Sequence, residues 1–256
     1  MKIAISGKGG TGKTTLAGIL AQLFKSDGYK VLAVDADPDT NLASAIGIPP
    51  GLALSIKPIS EQRRLIKERT GANPRQFGQL FKLNPTVSDI PDDFSLDYQG
   101  IKLLVMGAVR KGGEGCACPE NVLLKNLLSE IILERKEVVI VDMEAGIEHL
   151  GRATAGSIER LLIVVEPGAR SIDTAKKIMK LGKEIGLQDF GIIGNKILDK
   201  HQREWIEKHF DQKLIFGMIP FDQNILEADL QQKSPIDSLD ENSKAEFMKI
   251  YNGIKR

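Results

Sequence analysis

The chain has 256 residues, 42% hydrophobic and 27% charged, with 35 Lys and Arg against 34 Asp and Glu. That balance excludes a general electrostatic pull toward nucleic acid, and the apolar content suffices for the core of one large α/β domain. No apolar run approaches the ~20 residues of a membrane span, so stable membrane insertion is not expected. "MKIAIS" leads into a glycine loop without the apolar stretch of a secretory signal. Two cysteines exclude a disulfide framework, so a reducing cytoplasm is the expected compartment.

Short apolar, β-branched runs predict strands at 2–6, 30–35, 101–106, 137–142, 160–165, 190–195 and 214–219. Most are apolar on both faces, as in a parallel sheet covered on both sides. Helical patterns fall at 13–26, 60–69, 119–134, 171–185, 202–209 and 241–252. This alternation implies right-handed crossovers and an α/β, doubly wound, mostly parallel sheet of about seven to eight strands with helices on both faces. Residues 1–256 are expected to form a single domain. The stretch from about 48 to 100, with six prolines and mixed charge, reads as an elaboration on one edge.

The first strand ends in "GKGGTGKTT" (7–15), which fits G-x-x-x-x-G-K-[ST] between a strand and a helix. Gly7, Gly9, Gly10, Thr11 and Gly12 let the backbone wrap a phosphate and aim N–H groups inward. The helix N-terminus adds positive partial charge. Lys13 is placed to reach the β- and γ-phosphates of ATP or ADP, Thr14 to hold Mg²⁺ and Thr15 to contact the α-phosphate.

Lys8 is a second lysine inside the loop. With it, "KGGTGKTT" resembles the deviant motif of the MinD/ParA-type P-loop ATPases, the group that includes nitrogenase iron protein. In that group the extra lysine reaches across a homodimer to the partner's nucleotide, where it neutralises charge on the transferred phosphoryl group. The resemblance makes Asp37 of "VDADPDTNL" the carboxylate that orients the attacking water. Asp142, ending "VVIVD", takes the place of the acid near Mg²⁺, and the loop after it resembles a switch ordered by γ-phosphate. "GNKILD" (194–199) departs from the guanine-reading N-K-x-D, because Leu198 stands where an acceptor is needed. In the ATPase relatives an asparagine at this strand end contacts adenine, and Asn195 matches it. Pro220, Phe221 and Asp222 match their adenine-pocket loop.

The only two cysteines, Cys116 and Cys118, stand in "GGEGCACPENVLL". A disulfide between residues i and i+2 is strained, and a glycine-rich loop is a poor place for two buried thiols. A dithiol redox pair is a further reading. Cys118 stands where a helix cap would, with Pro119 at the first helical position. A helix N-terminus lowers a thiol's pKa and favours the metal-binding thiolate. Two thiolates are half of a tetrahedral site, which a second copy across a twofold axis would complete.

"GCACPENVLL", "VDMEAGIEHLGRAT" and "VVEPGARSIDTAKKI" resemble the CooC-type ATPases, which serve nickel insertion into carbon monoxide dehydrogenase; the similarity runs from Met1 to about residue 232. In that family the Cys-x-Cys pairs of two subunits bind one metal ion at the dimer interface. The resemblance therefore implies Ni²⁺ or Zn²⁺ on Cys116 and Cys118, a homodimer, and a nickel-dependent carbon monoxide dehydrogenase or acetyl-CoA synthase apo-enzyme as partner. Thiolates alone do not choose between the two ions. His149 reads either as a relay or extra ligand, or as a residue packing its loop. His201 and His209 read as a solvated helix face, with Trp205 as an anchor to the sheet. Competing readings are a positioning ATPase acting on membrane or DNA, with 245–256 as an amphipathic anchor, and an iron–sulfur carrier.

Overall fold

The computed structural model describes residues 1–74, 79–107, 119–130, 136–144, 146 and 157–255. The elements, in order, are β1 (Lys2–Gly7), α1 (Lys13–Ser26), β2 (Lys30–Ala36), α2 (Leu42–Ile46), α3 (Pro50–Ala53), α4 (Arg63–Thr70), α5 (Ile90–Phe94), β3 (Leu96–Tyr98) and β4 (Ile101–Val105). They continue with α6 (Pro119–Glu130), β5 (Glu137–Met143), β6 (Arg160–Val165), α7 (Ala169–Glu184), β7 (Phe190–Ile197), α8 (Lys200–Glu207), β8 (Ile215–Pro220), α9 (Gln223–Leu230) and α10 (Glu241–Ile254).

The eight strands form one sheet in the order β3-β4-β2-β5-β1-β6-β7-β8. Every pairing is parallel except β3 with β4. The expected doubly wound sheet is therefore present. The β3–β4 hairpin is the strand the sequence did not announce. Its turn places both Gln99 (φ 51°) and Gly100 (φ 85°) in the left-handed region, the geometry of a two-residue primed turn. Gln-Gly is a weaker signal for that turn than Asn-Gly.

Alternation along the strands divides the core into two layers. Ile3 and Ile5 face one side with Ala33, Leu103, Ile140 and Leu162; α1, α2 and α10 cover them with Leu16, Leu20, Phe24, Ile46, Phe247 and Ile250. Ala4 faces the other side with Val34, Leu104, Val141 and Ile163, beneath Leu65 and Ile66 of α4, Leu123 and Leu127 of α6, Ile172 of α7 and Ile206 of α8. Burying each large aliphatic side chain contributes about 1.5–3 kcal/mol. Strands sandwiched in this way have to be apolar throughout, which explains the unbroken runs.

The stretch 48–100 does more than decorate an edge. Ile48, Ile59, Ile66, Val87 and Ile90 are 0–1% exposed, and most of them join the layer containing α6. Short helices punctuated by prolines hide this role, because no single one is long enough for a helical period to show. The short α2 and the eight-residue α9 were also not expected. The described part of α6 begins at Pro119, and α7 and α8 begin two residues earlier than their patterns indicate.

Candidate nucleotide site

Strand order reverses at β1, which lies between β5 and β6. The carboxyl end of such a strand opens into the crevice where doubly wound sheets bind ligands. The chain leaves β1 through residues 8–12 and enters α1 at Lys13. Two glycines are dictated by space. A Cβ on Gly7 (φ 150°) would stand 2.4 Å from the Val164 carbonyl oxygen, and one on Gly12 (φ 93°) 2.3 Å from Asn195 Nδ2. Thr11 is fully buried. Its Oγ1 donates to the Lys8 carbonyl at 2.8 Å, closing the loop on itself. Lys13 is 6% exposed, while Lys8, Thr14 and Thr15 are half-buried.

The carboxylates converge on this loop from the neighbouring strands. Asp35 of β2 and Asp142 of β5 are in direct register, and each is 1% exposed. Asp35 Oδ2 accepts the Leu42 N–H at 3.0 Å and Oδ1 accepts the Asp37 N–H at 3.2 Å. One carboxylate thus fixes both ends of the loop that carries Asp37. Burial, and then the Asp142 charge, push Asp35 up to about 7 against the stabilising pull of its backbone donors. Among the described residues, neither oxygen of Asp142 has a hydrogen-bond partner of ordinary geometry. Its burial pushes it up to about 6, opposed by the nearby Thr14 hydroxyl and the Lys13 ammonium and reinforced by Asp37. A buried carboxylate beside a hydroxyl and a lysine fits a hydrated Mg²⁺, a hard cation that takes oxygen ligands.

The residues expected at the adenine are placed unequally. Asn195 Nδ2 donates to the Thr11 carbonyl at 2.8 Å and its Oδ1 accepts the Lys196 N–H at 2.9 Å, so it braces the phosphate loop. Asp222 is 6% exposed. Its Oδ1 accepts the Asn224 N–H, capping α9, and its Oδ2 accepts the Asp240 N–H at 3.0 Å. Pro220 ends β8 opposite Ile197, and Phe221 is 45% exposed beside that strand end. Cys116, Cys118 and His149 lie outside the described residues. His201 is exposed as expected. His209 differs from the expectation: its Nδ1 lies 2.7 Å from the Trp205 carbonyl oxygen, and its ring packs 4.5 Å from the Trp205 ring.

Several residues of the site had no role in the sequence. Asp35 was visible only as the end of a strand. Ser6, fully buried, donates from Oγ to the Gly146 carbonyl at 2.8 Å and accepts the Gly146 N–H at 3.3 Å, joining the end of β1 to the loop after β5. Lys196 and Glu166 form an ion pair at 2.6 Å. Lys196 stood in view within "GNK", whereas nothing local marked Ser6 or Glu166.

A phosphate loop opening a helix at the switch point, ringed by strand-end aspartates, defines a P-loop ATPase. The chain belongs to the CobQ/CobB/MinD/ParA nucleotide-binding family, whose profile matches residues 2–236. Within that family it is similar to the carbon monoxide dehydrogenase accessory protein CooC of Rhodospirillum rubrum, at 48% identity over 90% of this chain and 87% of that one. It is also similar to an ATP-binding protein of Methanocaldococcus jannaschii, at 44% identity over 99% of this chain and 97% of that one. Among solved structures, MinD of Pyrococcus horikoshii complexed with Mg-ADP shares the fold, with a TM-score of 0.69 at 22% identity over 100% of this chain and 96% of that one.

Proposed function

We propose that the protein is a nucleotide-driven metallochaperone that loads a nickel ion into carbon monoxide dehydrogenase or a related nickel enzyme. The observation that carries this reading is Cys-x-Cys directly in front of Pro119, which belongs to a helix whose Leu123 and Leu127 are fully buried, in a chain 48% identical to CooC. Thiols at a helix N-terminus are favoured as thiolates by its dipole.

In this reading Lys13, the loop N–H groups of Gly9, Gly10, Thr11 and Gly12, and the hydroxyl of Thr15 bind the phosphates of ATP. Thr14 and Asp142 hold Mg²⁺, which supplies charge neutralisation at the phosphates. Asp37, on the loop braced by Asp35, accepts a hydrogen bond from the attacking water and aligns it with the γ-phosphorus. Lys8 of a second copy offsets the charge that develops there. Asn195, Pro220, Phe221 and Asp222 border the adenine. Cys116 and Cys118 of each copy complete a four-thiolate site for the cargo ion, Ni²⁺ or Zn²⁺. Because the metal and the nucleotide both favour the same paired state, hydrolysis weakens the metal site and permits release.

Size exclusion with metal analysis tests this directly. With a non-hydrolysable ATP analogue and Ni²⁺, a dimer holding one ion per two chains is expected, and Cys116→Ser/Cys118→Ser should lose the ion while keeping nucleotide. A monomer under all conditions, or unchanged metal in the double variant, would sink the proposal.

A further inference from the structure

We propose that Lys196 is a positioning residue for the phosphate loop, a reading that rests on the nucleotide site proposed above. Its Nζ donates to the Gly10 carbonyl at 2.6 Å and pairs with Glu166 at 2.6 Å. The neighbouring Asn195 holds the next carbonyl, that of Thr11, at 2.8 Å. Two consecutive residues at the end of β7 thus grip two consecutive carbonyls of the loop that leaves β1. The strand between them, β6, leads into Glu166, which completes the grip. The Glu166 N–H is itself accepted by Ser171 Oγ at 3.0 Å, on the first turn of α7.

The geometry has a directional consequence. In a trans peptide the C=O and the following N–H point opposite ways. Holding the Gly10 and Thr11 carbonyls toward β7 turns the Thr11 and Gly12 N–H groups away from it, as an anion-binding loop requires. Among the described residues the Thr11 N–H meets only a long bond, 3.3 Å, to the Lys8 carbonyl, one a phosphate oxygen can replace.

Lys196 itself occupies a left-handed backbone conformation, φ 58°, that residues with a long side chain seldom adopt. It falls where the β7–β8 register shifts between Gly194 and Ile197, an irregularity of the kind that re-aims a side chain. The carboxylate of Glu166, whose side chain is 27% exposed, fixes the ammonium so that it is aimed before any ligand arrives. Preorganisation of this kind strengthens binding by removing an ordering cost.

The test uses the full chain, isothermal titration with MgADP, steady-state ATP hydrolysis, and thermal unfolding without nucleotide. Lys196→Asn suits the left-handed backbone but cannot reach Gly10, so its unfolding midpoint should equal or exceed the wild type while MgADP binds about tenfold more weakly. KM for ATP should rise more than kcat falls. Lys196→Arg should recover most of the affinity, and Glu166→Gln should lose part of it. A residue with a purely structural role would lower stability and binding together. Wild-type MgADP affinity in Lys196→Asn would overturn the clamp, as would a binding loss that merely tracks lost stability. Lys13→Ala separates the two levels: if it abolishes binding and Lys196→Asn does not weaken it, only the clamp fails. If Lys13→Ala binds as the wild type does, the nucleotide-site reading fails and takes the clamp with it.

Discussion

Burying Asp142 at 1% exposure, with no hydrogen bond of ordinary geometry to either oxygen among the described residues, destabilises the ligand-free protein. Burial lifts its pKa from 3.8 to about 6, and that of the facing Asp35 from 3.8 to about 7. The native state therefore binds more protons than the unfolded chain between about pH 4 and pH 7, and stability falls as pH rises through that window. Denaturant unfolding of the nucleotide-free protein should give a lower midpoint at pH 8 than at pH 5.5 from these two groups. Asp142→Asn removes one of the charges. It should stabilise the ligand-free protein at pH 8 by on the order of 1–3 kcal/mol, with a smaller gain at pH 5.5. Its ATP turnover should nevertheless fall at least about 100-fold. A variant that is both less stable at pH 8 and inactive would mean that Asp142 has a structural partner. The P-loop lysine, the threonines and the aspartates at strand ends were all legible in the chain. The pairing of Asp35 with Asp142 was not, because it depends on the register of two strands more than a hundred residues apart.

At the scale of elements, α1 and α2 meet so closely that a Cβ on Gly18 would lie 2.6 Å from the Ala45 carbonyl oxygen and 2.8 Å from the Ala45 Cβ. Helix propensity alone gives Gly18→Ala a gain of about 1 kcal/mol. Overpacking should reverse the sign, with a net loss of about 1–3 kcal/mol and a fall in unfolding midpoint of roughly 5 °C. A raised midpoint would show that α2 can move aside. Because α2 follows the loop carrying Asp37, turnover should fall as well. The C-terminal helix α10 shows the opposite limit of sequence reading. Its amphipathic pattern suited either a membrane anchor or a packing helix. In the fold Phe247, Ile250, Tyr251 and Ile254 are 0–4% exposed, and the Tyr251 hydroxyl donates to Asp27 at 2.7 Å. Burial and the Asp27 carboxylate raise that hydroxyl to about 12. Tyr251→Phe should cost about 1 kcal/mol in chemical denaturation, and liposome sedimentation with ATP should leave the protein in the supernatant.

For the whole molecule, the proposal that Lys8 acts across a dimer predicts complementation. Lys8→Ala and Asp37→Ala should each be inactive alone. A mixed dimer has one site combining Lys8 of one chain with Asp37 of the other, so an equal mixture should recover about one quarter of wild-type hydrolysis. No recovery, with mixed dimers demonstrated, would place Lys8 in its own chain's site.

Short-range pattern in the chain was enough for several features of this protein. The both-faces-apolar runs required a sandwiched parallel sheet, the glycine–lysine loop between strand and helix required a phosphate site, and Leu198 removed the guanine acceptor. These are local because each is written in a span of ten residues or fewer. Features that depend on which strand ends become neighbours came from the fold. The crossing of the chain that sets β1 between β5 and β6 brings Ser6 to Gly146, Asn195 and Lys196 to the Thr11 and Gly10 carbonyls of the loop, and Glu166 to Lys196. It also turned the proline-rich stretch from 48 to 100 into part of the core, through Ile59, Ile66 and Ile90. Hydrogen bonds and buried contacts between distant segments leave no periodic trace in the chain, since only strand order and register bring their partners together.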